Sequence, residues 1–187
     1  MRIFLIVAFA VSVGSFSVIV GQTPPPPIPA APVRKVGKAE VFYFKNSDTS
    51  RVNVDVTLLG SHKTILREDY FSLGASFSVR GAKLVQPKAV SLTLYSYTHG
   101  TDYRYKNDNL VTILLDNKPL VSGRAHESFL NIDPRGGVTE SYFVSMSFDD
   151  FLKLTKSKVV ALRFGSTRLE LNQEHIDALA DIVRALE

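Results

Sequence analysis

The sequence predicts an α+β fold: a mostly antiparallel β-sheet, meander or sandwich-like, with one short helix and a C-terminal amphipathic helix packed on the sheet. Three observations predict it. Apolar and polar residues alternate over most of the chain after Ala39, the period of half-buried strands. Each short alternating run is followed by a turn signal, as antiparallel pairs require. The period changes to helical spacing at Ser147 and again after Asn172.

Ala39 to Lys45 (AEVFYFK) is the first expected strand, with Asn46 to Ser50 as a hairpin loop. Val52, Val54, Val56 and Leu58 then share one face, opposite Arg51, Asn53, Asp55 and Thr57. Phe71, Leu73, Ala75, Phe77 and Val79 repeat the pattern, with the small residues Ser72, Gly74, Ser76 and Ser78 on their other face. In the strand Ala89 to Tyr97, Val90, Leu92 and Leu94 point inward. Further strands are expected at Tyr103–Lys106, Leu110–Leu115, Leu120–Ala125 and Val138–Met146. The intervening turns are 98–102, 116–119 and 133–137, all rich in Gly, Asp, Asn or Pro.

Ser147-Phe148-Asp149-Asp150 reads as a capping box with Asp in place of the usual Glu, and Phe148, Phe151, Leu152 and Thr155 follow at helical spacing. Val159–Phe164 and Thr167–Leu171 flank Gly165-Ser166, the pattern of a tight hairpin. Asn172 is placed to cap the last helix. Its expected apolar stripe is Ile176, Leu179, Ala180, Val183 and Leu186.

Three segments follow from composition. Residues 1–21 have a charged start (Arg2), an apolar run from Ile3 to Val11 and then small residues, the pattern of a secretory signal peptide. The competing reading is an uncleaved anchor, because Ile3 to Val20 is nearly long enough to span a bilayer. Residues 22–36 include TPPPPIPAAPV, an extended polyproline spacer. Residues 37–187 make a single β-rich globular domain. The expected location is outside the cytoplasm, periplasmic or extracellular, with membrane contact only through the N-terminal segment if it is retained. The absence of any N-x-S/T acceptor favours a bacterial envelope.

Charge and motifs exclude several chemistries. The 187 residues carry 22 Lys and Arg against 18 Asp and Glu, a formal +4; without the first 21 residues the balance is 21 to 18, or +3. That surplus is spread thinly, so no nucleic-acid interface is expected. With no cysteine there is no disulfide, thiolate metal site or cysteine nucleophile. His62, His99, His126 and His175 stand at no metal-ligand spacing, and no HExxH occurs. Gly74-Ala75-Ser76-Phe77-Ser78 breaks the G-x-S-x-G nucleophile pattern at its fifth position, and no glycine-rich phosphate loop is present. No catalytic residue, metal or cofactor is expected.

The distinctive feature is aromatic. A simple hairpin through 98–102 sets Tyr97 against Tyr103 and Tyr95 against Tyr105, four rings on one face, with His99 in the loop and Arg104 and Lys106 alternating. That register also places Lys106 opposite the inward Leu94, which counts against it. Tyr95, Tyr97, His99, Tyr103, Arg104 and Tyr105 are thus the candidate binding residues, suited to stacking on sugars or meeting a protein. The expected function is an exported, non-catalytic domain binding a protein or glycan of the cell envelope. The alternatives are an envelope hydrolase with a dispersed site and a carrier of a small apolar ligand between sheet and terminal helix.

Overall fold

The computed structural model describes residues 32–59, 69–134 and 136–187. The expected signal segment and most of the proline-rich stretch lie outside them. Eleven strands and two α-helices follow in chain order: β1 (Arg34–Val36), β2 (Ala39–Phe44), β3 (Thr49–Leu59), β4 (Tyr70–Arg80), β5 (Ala89–His99), β6 (Leu110–Leu115), β7 (Lys118–Arg124), β8 (His126–Asp133), β9 (Gly137–Ser147), α1 (Phe148–Lys156), β10 (Val160–Phe164), β11 (Thr167–Leu171) and α2 (Gln173–Arg184). A 3₁₀ turn at Lys45–Ser47 closes the β2–β3 hairpin. The strands form a seven-stranded sheet, ordered β1-β2-β3-β4-β5-β9-β8, and a four-stranded sheet, ordered β11-β10-β6-β7. All pairings are antiparallel.

The two-residue period decides which face of the large sheet is dry. Val54 pairs Ala75, Ala75 pairs Leu92 and Leu92 pairs Val144, so one row of buried apolar side chains crosses four strands. The rows through Val52 and Val56 repeat it. This face is covered by α2, which contacts β1 to β4, by α1 against β5 and β9, and by the small sheet. Phe164 on β10 bridges the layers, with ring centroids 6.3 Å from Phe71, 4.2 Å from Tyr105 and 5.2 Å from Tyr142. Burying each such side chain stabilises the fold by roughly 1.5–3 kcal/mol.

Both helices start where their caps dictate. The Ser147 hydroxyl accepts the Asp150 N–H at 3.1 Å and donates to the Asp150 carboxylate at 2.8 Å. Lys153 donates to the same carboxylate at 2.7 Å, and these contacts hold Asp150 below the usual carboxylate pKa. At α2 the Asn172 side chain accepts from the His175 N–H while His175 Nδ1 accepts from the Asn172 N–H, so the box closes with a histidine.

Three expectations need correction, and one strand, β8, was not anticipated. Residues 103–106 are not a strand: β5 is paired on one side with β4 and on the other with β9, so neither edge is free to take a hairpin arm. β8 is a full strand, although its polar and apolar residues do not alternate cleanly across a bulge between Glu127 and Phe129. The folded part extends into the expected linker, because Arg34–Val36 pairs with β2. The α2 stripe is rotated: Ile176, Ala178, Leu179, Ile182 and Ala185 are buried, while Ala180, Val183 and Leu186 lie at the margin. A helix seated between a sheet and a second helix buries a wider arc than one apolar seam.

Candidate functional site

The candidate site is the other face of the large sheet. Directly opposite residues on paired strands share a face, so the register lists its rows. One row runs Glu40, Asn53, Ser76, Ser91 and Ser145. The next runs Asp55, Gly74, Thr93, Phe143 and His126, and the third runs Thr57, Ser72, Tyr95, Ser141 and Phe129. Small polar side chains therefore floor the middle strands β3, β4 and β5. Aromatic rings stand at both flanks.

On the β2 flank Phe42 and Phe44 stack with ring centroids 6.3 Å apart. On the far flank His126 stacks on Phe143 at 5.2 Å and 29°, beside half-buried Tyr95 and Phe129, which is 53% exposed. Four strand spacings separate β2 from β9, about 19 Å. Between them lies a depression of about 290 Å³ lined by Arg51, Asn53, Asp55, Gly74, Ala75, Ser76 and Thr93. Gly74 is needed there: a Cβ would come within 2.5 Å of Asp55 Oδ1, so glycine lets that carboxylate lie across β4. The arrangement offers hydrogen-bond donors and acceptors on a flat floor, with ring faces to stack on at either side.

The expected tyrosine set is divided between three environments. Tyr95, Tyr97 and His99 lie on the outer face. Tyr97 is 8% exposed, and its ring covers Gly137 where any Cβ would overlap the hydroxyl. Tyr70 packs edge-on to Tyr95 at 5.8 Å. Tyr105 is on the opposite side of the sheet, 1% exposed, stacked on Phe164 with its hydroxyl 2.8 Å from Thr167. Tyr103 is half-buried with the Lys106 ammonium 5.2 Å above its ring, and Arg104 pairs with Asp69 at 3.2 Å. The four rings therefore do not form a ladder, because the loop 100–109 leaves the large sheet and crosses to the small one.

A buried carboxylate fixes that crossing. Glu140 is fully buried on the inward side of β9. Its two oxygens accept the Arg104 N–H at 2.9 Å, the Tyr105 N–H at 3.0 Å and the Tyr142 hydroxyl at 3.2 Å. Burial, reinforced by the Glu140 charge, pushes the Tyr142 hydroxyl well above the usual tyrosine pKa. With all its donors drawn from the fold, Glu140 reads as a structural clasp.

Phe143, His126 and Phe129 were not marked by sequence reasoning. One signal was available for Phe143: it is the large apolar residue at an odd position of β9, whose inward set is even. Among the described residues, no group of three or more His, Asp or Glu side chains is arranged to hold a metal ion, and no helix is long and apolar enough to cross a membrane. Neither a protein-family model nor a curated protein matches the chain.

Proposed function

We propose that the protein is an exported, non-catalytic domain whose outer sheet face binds a glycan of the cell envelope. One observation carries the reading: a floor of serine, threonine and asparagine between two aromatic flanks. Pyranose rings present apolar C–H faces and equatorial hydroxyls together, and a ligand of that kind uses both halves of the surface. The charged N-terminal start, apolar run and proline-rich spacer support export and a location held off a membrane. A glycan is favoured over a protein partner because the floor is hydrogen-bonding rather than apolar, and protein hot spots concentrate in desolvated apolar centres. The carrier reading is disfavoured because Ile176, Leu179 and Ile182 of α2, with Val52 and Val54, fill the layer beneath the helix.

The test is a screen of soluble envelope oligosaccharides against the wild-type protein, followed by titration calorimetry on any that bind. Tyr95→Ala and Phe143→Ala should each weaken binding about tenfold, equivalent to about 1.4 kcal/mol, with melting temperatures preserved. Wild-type affinity in both variants removes this face from consideration, and no retained glycan sinks the reading.

A further inference from the structure

We infer that β8 is a self-association edge: two copies of the chain pair antiparallel through β8, joining their large sheets into one. A sheet edge carries backbone donors and acceptors turned to the free side, and natural edges are blunted by shortness, proline, lysine or arginine. The described edges differ in this respect. β1 has three residues, β7 contains Lys118, Pro119 and Arg124, and β11 presents exposed Arg168 and Glu170. β8 has eight residues and no proline, lysine or arginine; its acids, Glu127 at the bulge and Asp133 at the strand's end, leave 128–132 uncharged. It also holds Phe129 and Ile132, 53% and 41% exposed.

The sequence past the bulge selects the occupant. Phe129 and Asn131 lie on the outer face, Leu130 and Ile132 on the inner. A twofold axis at Asn131 sets Leu130 against Ile132 of the second copy, twice over, and Asn131 against its own counterpart. At the centre apolar meets apolar and amide meets amide, with faces matched, while at the ends of this register Phe129 falls opposite Asp133. Centring on Leu130 instead would bring Glu127 opposite Asp133, acid against acid. The axis stands perpendicular to the sheet, so both outer faces lie on one side of the dimer. A single strand pair is small for a specific interface, so the association is weak.

Sedimentation velocity of the purified full-length protein over a wide concentration series tests this. Reversible dimerisation is expected in the wild type and its loss in Ile132→Lys, with melting temperature unchanged because Ile132 is exposed. The chain has no cysteine, which makes a second measurement clean. Asn131→Cys should form a disulfide-linked dimer on mild oxidation much faster than the exposed control Ser78→Cys. A wild type that stays monomeric at every concentration, an Asn131→Cys rate equal to the control, or a dimer that survives Ile132→Lys each overturns the inference. None of these readouts depends on glycan binding.

Discussion

Glu140 shows how one residue joins two parts of the chain. A carboxylate taken fully out of water is costly unless its oxygens are occupied, and here two backbone N–H groups and a tyrosine hydroxyl occupy them. Truncation by Glu140→Ala leaves three donors without an acceptor, two of them buried and one partly so. At about 1–3 kcal/mol each, the expected loss is roughly 3–9 kcal/mol in urea denaturation. Glu140→Gln keeps one acceptor oxygen against the three donors and should fall between. A loss below about 1 kcal/mol for the alanine variant would mean that loop 100–109 is held by Tyr105 packing alone. In the sequence, Glu140 is visible as a charge in the inward register of Val138, Tyr142 and Val144. Its partners are not, because donors from the backbone have no signature in side-chain pattern.

At the level of elements, the chain's first and last described pieces hold each other. The Asp181 carboxylate, 5% exposed on α2, accepts the Lys38 N–H at 2.6 Å and pairs with Arg184, while Arg34 donates to the Ala185 carbonyl. Gly37 turns the β1–β2 hairpin with φ +57°, and a Cβ there would overlap the Asp181 carboxylate. Gly81 also has positive φ, at +87°, but faces open space. Gly81→Ala should therefore cost only the backbone strain, about 1 kcal/mol. Gly37→Ala also displaces the Asp181 carboxylate from the Lys38 N–H, adding about 1–3 kcal/mol. Chemical denaturation of the two variants compares them directly, and equal losses would show that the hairpin–helix contact carries no energy. The long strands β3, β4, β5 and β9 were legible because eleven residues display the two-residue period several times over. β1 was not: three residues show no period, and its place depends on a helix some 140 positions later. The α2 boundaries followed from its Asn172 cap, whereas its buried arc depended on what it packs against.

Across the whole molecule, the large sheet separates a dry side from a polar one that is half-exposed at Asn53, Ser76 and Ser91 and buried at Tyr70, Ser72 and Tyr97, and parity within each strand already assigned most residues to a side. What parity lacks is neighbour identity. β6, β7 and β8 intervene between β5 and β9, so the row Thr93–Phe143–His126 joins residues about fifty and thirty positions away from Thr93 in the chain. Only the near part of the outer face, Tyr95, Tyr97 and His99, was within reach of a local hairpin argument, and that argument supplied the wrong partners. The same separation of sides makes a sharp prediction at two adjacent residues. Leu92 lies in a single buried cluster that runs through both sheets and both helices, while Ser91 sits half-exposed on the outer floor. Leu92→Ala should cost about 2–5 kcal/mol, and Ser91→Ala should stay within about 0.5 kcal/mol. Because one cluster connects every layer, the Leu92→Ala loss should shift a single transition seen together by far-ultraviolet dichroism and tyrosine fluorescence. Two separated transitions would mean that the small sheet unfolds independently of the large one. Comparable losses at Ser91 and Leu92 would mean that the outer face is covered after all, and the glycan site would go with it.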